Sequence, residues 1–321
     1  MVHHLPFYTQ AARRRLLPLL TAALLLSGCT ATPSSTGAPD PSLTGPAAQG
    51  AAGTQTYSTG TADTQRPSTD ATTITLPPVN SHPDYQLAGA YTPDPAVDVV
   101  GRDRNDPPAE GVYSICYING FQTQPDERQT WPEDLLLHID GVPFADPEWP
   151  DEVLLDTSSS ANREQIAAII QPWIEQCAND GFDAVEFDNL DSYTRSGGAL
   201  SLDDNLAQAH LLVEIAHREG LAAGQKNSAE ASQQLHDSAG FDFAVVEECM
   251  AYNECQDYAA VYGDHVIDIE YVDEEAIDGG STGYTAFQQY CAHADAPTSM
   301  VLRNRDLSTP SSRGYVFRLC D

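Results

Sequence analysis

The run Gly181-Phe182-Asp183-Ala184-Val185-Glu186-Phe187-Asp188-Asn189 alternates apolar and acidic residues with a period of two. That is the pattern of a strand with two different faces. If Val185 and Phe187 pack outward against helices, Glu186 and Asp188 point the other way, with Asp188 nearest the C-terminal end. Seven further short β-rich runs flank it, so that the series reads 97–102, 112–118, 152–156, 184–188, 221–226, 241–247, 265–271 and 299–303. Helical periodicity fills several gaps. Ile166, Ile169, Ile170, Trp173, Ile174 and Cys177 fall at three-to-four spacing within 162–178, where Pro172 is expected to kink or split the helix. A second helix opens on Ser201-x-x-Asp204, carries Leu206, His210, Val213 and Ala216, and stops at Gly220.

Eight strands alternating with helices over residues 81–321 predict a (β/α)8 TIM barrel of α/β class. A doubly wound sheet would need a Gly-rich phosphate turn after its first strand, and Gly101-Arg102-Asp103-Arg104 is not one. Barrel enzymes place their chemistry at the C-terminal strand ends. Polar residues stand there repeatedly: Asp103, Tyr117, Asp156, Glu186 with Asp188, Lys226 with Asn227, Glu247, Glu270, and Arg303 or Asn304. Like charge gathered on one face costs stability and usually serves a substrate or a metal. Hydrolysis of a glycosidic bond needs two carboxyl groups flanking it. Asp188 and Glu247, from the fourth and sixth strands, are placed to oppose each other across a sugar. Period two through 241–247 would turn Glu247 outward unless a bulge or an early strand end re-aims it.

The sequence has 15 Lys+Arg against 47 Asp+Glu, a formal net charge of -32. That excess disfavours nucleic acid or an anionic membrane surface as an electrostatic partner. Of these side chains, 11 cationic and 44 acidic ones lie in 81–321, so the acidity belongs to the folded domain. Lys226 is the single lysine. At the other end of the chain, Arg13-Arg14-Arg15, the apolar stretch 16–26 and Leu26-Ser27-Gly28-Cys29 resemble a bacterial lipoprotein signal. Residues 1–28 are therefore expected to be removed and Cys29 lipidated. Residues 29–80, rich in Ala, Thr, Ser, Gly, Pro and Gln, are expected to be a disordered tether. The chain would then be exported and held at the cell membrane by its lipid alone.

Six cysteines remain. An even number in an exported chain suggests three disulfides out of 15 conceivable pairings. Cys249 with Cys255 would staple a loop, Cys291 with Cys320 would tie down the C-terminus, and Cys116 with Cys177 remain. The histidines show no metal-ligand spacing, and no Gly-x-Ser-x-Gly elbow is present.

A longer series of motifs runs in order through 85–271. It comprises Tyr85-Gln86-Leu87-x-Gly89, Cys116-Tyr117-Ile118, Glu127-Arg128 and Trp149-Pro150-x-Glu152-x-x-Leu155-Asp156. It continues with Gly181 to Asn189 followed by Asp191 and Tyr193, then Gly220-Leu221-x-x-Gly224-x-Lys226-Asn227. Glu247-Glu248-Cys249-x-x-Tyr252-x-Glu254-Cys255 and Ile269-Glu270-Tyr271 complete it. In this order and spacing they resemble glycoside hydrolase family 114, the endo-α-1,4-polygalactosaminidases. The resemblance implies a (β/α)8 barrel, no cofactor, and cleavage within α-1,4-linked galactosamine chains; no metal site is expected, and the chain is expected to act as a monomer. It places the catalytic carboxylates on Asp188 and Glu247. Tyr117, Asp156, Asp191, Lys226, Asn227 and Tyr271 would line the subsites, and Asp103, Glu186, Tyr252 and Glu270 join them as candidate substrate contacts. Gln225, Asn119 and Asp151 depart from the pattern, which bears on the glycan more than on the chemistry. Deacetylated galactosamine is cationic, so an acidic cleft would concentrate it; a saline habitat would equally favour such a composition. Two rival functions use the same residues: a barrel that binds an amino-sugar polymer without cutting it, and a metal-dependent barrel with Asp156, Glu186, Asp188 and Glu270 around a divalent cation.

Overall fold

The computed structural model describes residues 74–272 and 283–320. The signal segment, Cys29 and the tether up to residue 73 lie outside the described residues. Eight parallel strands pair in chain order: β1 (Pro83–Gln86), β2 (Val99–Asp103), β3 (Tyr113–Asn119), β4 (Ala184–Asp188), β5 (Ala222–Lys226), β6 (Phe243–Glu247), β7 (Val266–Tyr271) and β8 (Ser299–Arg303). A short β9 (Phe317–Leu319) runs antiparallel along β8. The barrel expectation holds, with one strand exchanged. Within the run 152–156, Val153, Leu154 and Leu155 are buried but make only single bridges, Leu154 to Gln122, Leu155 to Leu136 and Val153 to Ala145. The strand it was expected to supply is β1, whose Pro-Asp-Tyr-Gln sequence carries no β-rich signal. Because one strand is lost and one gained, Asp188 and Glu247 still end the fourth and sixth staves.

No backbone ladder joins β8 to β1 among the described residues. Side chains close the ring there. Arg303 Nη1 lies 2.6 Å from Asp84 Oδ1 and also meets the Tyr85 carbonyl, while Ser81 N and Oγ each reach Ser299 Oγ at 2.9 Å. Both members of the Asp84–Arg303 pair are fully buried. Arg303 is thus part of the barrel wall and not of the cleft.

Two apolar layers follow from the strand alternation. Tyr85, Val99, Ile115, Ala184, Phe243, Val245, Ile267, Ile269 and Tyr271 fill the interior. Val185, Phe187, Ala244 and Val246 face outward into the layer beneath the helices. The helix α1 (Ser160–Asp180) runs unbroken through Pro172, contrary to the expected split, and ends on Gly181 in the left-handed region. The helix α2 (Leu202–Arg218) has the expected capping box, with Ser201 and Asp204 bonding each other's backbone. The connections 87–98 and 104–112 contain no helix. All three expected disulfides are present: Cys116–Cys177, Cys249–Cys255 and Cys291–Cys320. The segment from 74 to 80, which composition placed in the tether, packs on the barrel: Ile74 and Leu76 join the inner layer and Tyr113 Oη donates to Thr75 O at 2.7 Å.

Candidate active site

Three consecutive strand ends form the centre of the site. At the end of β4, Asp188 Oδ2 accepts from Tyr117 Oη at 2.7 Å and Oδ1 from the Asn189 amide at 2.7 Å. At the end of β5, Lys226 Nζ lies 2.6 Å from Glu247 Oε2. At the end of β6, Glu247 also accepts from Asn227 Nδ2 at 3.1 Å and from the Tyr271 hydroxyl, and its own amide donates to Asn227 Oδ1 at 2.8 Å. Glu247 points inward. The strand starts at Phe243, so the inward set is Phe243, Val245 and Glu247, while Phe241 precedes the strand and packs in the outer layer. Neither a bulge nor an early end is needed.

Each of these ends is followed at once by a left-handed residue: Asn189 at φ 64°, Asn227 at 50° and Glu248 at 62°. Asparagine tolerates this conformation; glutamate does so at a cost. Buried partners hold the turns. Gln225 Nε2 donates to the carbonyls of Asn227 at 2.6 Å and Ser228 at 3.2 Å, and its Oε1 accepts from Tyr262 Oη at 2.6 Å. The polar departure at Gln225 is therefore a clamp on the turn that carries Asn227. Arg195 holds the other flank, reaching Asn189 Oδ1 at 3.0 Å, Asp146 Oδ2 at 2.7 Å and Asp191 Oδ1 at 2.6 Å. Glu248 pairs with Arg305 at 2.8 Å, whose guanidinium stacks 4.6 Å over the Tyr271 ring.

The electrostatics separate the acids. Burial alone would raise the Glu247 carboxyl, but the Lys226 charge and the donors Lys226, Tyr271 and Asn227 outweigh it and lower the pKa to about 2. Burial disfavours the Lys226 ammonium, yet Asp188, Glu247 and Glu186 together push its pKa upward. Glu186 goes the other way: burial, then Asp188 and Glu247, raise it to about 8 against the pull of Lys226 and Tyr85. Glu152, raised to about 7 mainly by burial and partly by Asp188, accepts from Gln122 Nε2 at 2.5 Å. Asn119 Nδ2 lies 3.4 Å from the same oxygen.

The expected site residues divide accordingly. Asp188, Glu247, Tyr117, Lys226, Asn227 and Tyr271 come together. Asp191 joins through Arg195. Glu186 is fully buried under the mouth, so it cannot serve as the substrate contact expected of it. Glu270 faces outward from β7 and accepts from the Met250 and Ala251 amides at 2.9 and 3.3 Å. Asp156 is engaged with Ser158, its Oδ1 accepting from the amide at 3.0 Å and the hydroxyl at 2.5 Å. Asp103 accepts from the Asn105 amide and side chain, both at 2.9 Å. The Tyr252 amide donates to Glu248 O at 2.9 Å. Asp156, Glu186, Asp188 and Glu270 do not converge as a metal set. The group with ligand-like distances among the described residues is Cys249, Cys255 and Asp268, and its cysteines are joined in a disulfide. Tyr85, Gln225 and Arg195 escaped sequence reading as site-building residues. Tyr85 has a signal in its place in the family motif and Gln225 in its departure from that motif, whereas Arg195 has none.

Comparison with known proteins bears on this geometry. A model of glycoside-hydrolase family GH114 matches residues 63–321. Among solved structures, the chain is similar to Aspergillus fumigatus Ega3 in complex with galactosamine, at 23% identity and a TM-score of 0.60, over 74% of this chain and 96% of that one. It also matches the glycoside hydrolase domain of PelA from Pseudomonas aeruginosa at 12% identity and a TM-score of 0.45, over 72% and 97% respectively. No curated protein matches it in sequence. The likeness to Ega3 agrees with the barrel, and the family match extends across the whole of it. This chain belongs to glycoside-hydrolase family GH114 and is a glycosidase.

Proposed function

We propose that this protein cleaves α-1,4-linked galactosamine polymers, with Asp188 and Glu247 as the two carboxyl groups that act on the glycosidic bond. The observation that carries the reading is their placement at the ends of β4 and β6, with Lys226 of β5 between them. Two-carboxylate hydrolysis needs one group to protonate the leaving oxygen and one to attack or to activate water. Asp188 is oriented by Tyr117, and Glu247 by three donors. A resident anion at Glu247 also complements the ammonium of a deacetylated sugar and the positive charge that develops at the anomeric carbon. Galactosamine is the ligand in the Ega3 complex, which supports the amino-sugar assignment here. The domain's acidity would speed encounter with a cationic polymer.

Mass analysis of products from polygalactosamine, with chitosan and neutral α-galactan as controls, tests the substrate. Galactosamine oligomers from the first polymer alone are expected; retention of the polymer without new reducing ends would overturn the reading. Asp188→Asn and Glu247→Gln are each expected to lower kcat/KM by about a thousandfold or more. The proposed export and lipid anchor at Cys29 predict that Cys29→Ser moves the protein from the membrane fraction to the soluble one.

A further inference from the structure

Glu186 occupies the layer directly beneath the carboxylate pair, with no exposed surface. Its Oε1 accepts from Tyr85 Oη at 2.7 Å, and its Oε2 has no partner. An orphaned carboxylate oxygen in that position would be costly, whereas a carboxylic acid is tolerated. The space around it is specifically shaped. A Cβ on Gly101 would come within 2.6 Å of the Tyr85 ring, and one on Gly224 would lie 2.6 Å from the Phe243 ring and 3.3 Å from Glu186 Cβ. Strands β2 and β5 thus use glycine where the Tyr85–Glu186 contact and Phe243 need room.

The charged and titratable groups facing Glu186 are Tyr85 from β1, Tyr117 from β3, Asp188 from its own strand, Lys226 from β5 and Glu247 from β6. Tyr271 of β7 enters through Glu247. The only cation in that set is Lys226, and it is engaged by Glu247. The arrangement leaves a chemical difficulty: hydrolysis needs a proton at the pair, yet Glu247 is held as an anion.

We propose that Glu186 is the proton reserve of the site, a positioning residue that keeps a proton while Glu247 is ionised and releases it as Glu247 becomes protonated, with Lys226 as their common counter-ion. The inference rests on the two-carboxylate reading above. In the exchange an O–H bond breaks at Glu186 and one forms at Glu247. Each electron pair stays on its oxygen, and Lys226 keeps its protons while changing partner. The cluster's net charge does not change, so a buried site avoids the cost of gaining or losing a charge.

Spectroscopy on the intact protein tests this without reference to activity. With carboxyl-labelled glutamate, a protonated buried carboxyl that titrates near the raised value is expected in the wild type and absent in Glu186→Gln. In Glu247→Gln the freed Lys226 is expected to draw Glu186 into its ionised form below neutral pH. Kinetics supply the second reading: Glu186→Gln is expected to lower kcat about tenfold or more, hold KM within about threefold, and abolish the alkaline fall in rate. Tyr85→Phe removes a donor that favours the carboxylate, so it is expected to move that fall to higher pH. A wild-type Glu186 already ionised in mild acid, a Glu186 titration unmoved by Glu247→Gln, or a loss in Glu186→Gln that is uniform across pH would overturn the proposal. Should Glu186→Gln fail to fold, Tyr85→Phe and Glu247→Gln still decide. A wild type inert toward the polymer overturns the substrate reading, and the spectroscopic results still decide for or against Glu186.

Discussion

Lys226 Nζ lies 2.6 Å from Glu247 Oε2 while only 3% of the lysine side chain is exposed. The only lysine in the sequence is therefore buried as an ammonium, held in that state by three carboxyl neighbours. Lys226→Met keeps the apolar stem and removes the charge. Burial then dominates at Glu247, and its pKa is expected to climb from about 2 to above the ordinary carboxylate range. Activity is expected to fall about a hundredfold. Titration of the labelled Glu247 carboxyl checks the shift; a Glu247 that stays ionised to the same low pH would contradict it.

The seam between β8 and β1 offers a test of stability. Arg303→Met leaves Asp84 buried without its cation, although Gln86 Nε2 and Tyr91 Oη still donate to it at 2.8 and 2.7 Å. Loss of one partner of such a pair costs about 3–5 kcal/mol. The double variant with Asp84→Asn is expected to cost less than the two single changes combined. Urea unfolding curves measure both, and strict additivity would show that the two residues do not act as a pair.

On the outer face of β7, burial raises the Asp268 carboxyl to about 7, with Glu248 and Glu247 adding to the effect and Glu270 and the Cys249 amide opposing it. The folded state then holds a proton that the unfolded state has released. The contribution of Asp268 to stability is expected to be fully present below about pH 4 and to be lost as pH rises through about 7. Asp268→Asn keeps an acceptor for the Cys249 amide, which lies 3.2 Å from Asp268 Oδ1. It is expected to flatten that slope by on the order of 1 kcal/mol or more. Melting temperatures across pH would expose an unchanged slope.

Gly224→Ala would place a methyl 2.6 Å from the Phe243 ring. Overpacking of this kind costs about 1–3 kcal/mol. Phe243→Leu in the same chain is expected to recover part of the loss, since a smaller side chain vacates the contact. Equal melting of the single variant and the wild type would show that the interior layer yields more easily than its packing indicates.

Much of this architecture is legible in the sequence, and the failures share a physical origin. Period two correctly separates Val185 and Phe187 from Glu186 because all of 184–188 is strand. The same rule misleads at 241–247 because Phe241 lies before the strand begins. At Glu270 and Tyr271 the same rule lets only one of the two neighbours face the mouth. Tyr271 reaches Glu247 and Glu270 turns to the helix layer. The first strand carries no apolar signal because Asp84 and Gln86 are polar yet buried, sustained by Arg303 and Arg102, the latter donating from Nε to Gln86 Oε1 at 3.0 Å. Apolar runs mark burial, not pairing, so Val153-Leu154-Leu155 looked like a strand without being one. The carboxylate pair was legible through strand position and family motif together; the clamps at Gln225 and Arg195 depend on long-range partners that local pattern does not carry.

A barrel sealed by Asp84 and Arg303, 219 positions apart in the chain, imposes an order on its own biosynthesis. The opening stave of the ring emerges with its carboxylate lacking a cation and waits while almost every later stave is made. Until the last one arrives, a gap stands open along the wall. Bonds formed so late restrain escape from the native state more than they hasten arrival at it, so reinforcement of this joint is expected to lengthen the protein's lifetime without quickening its assembly.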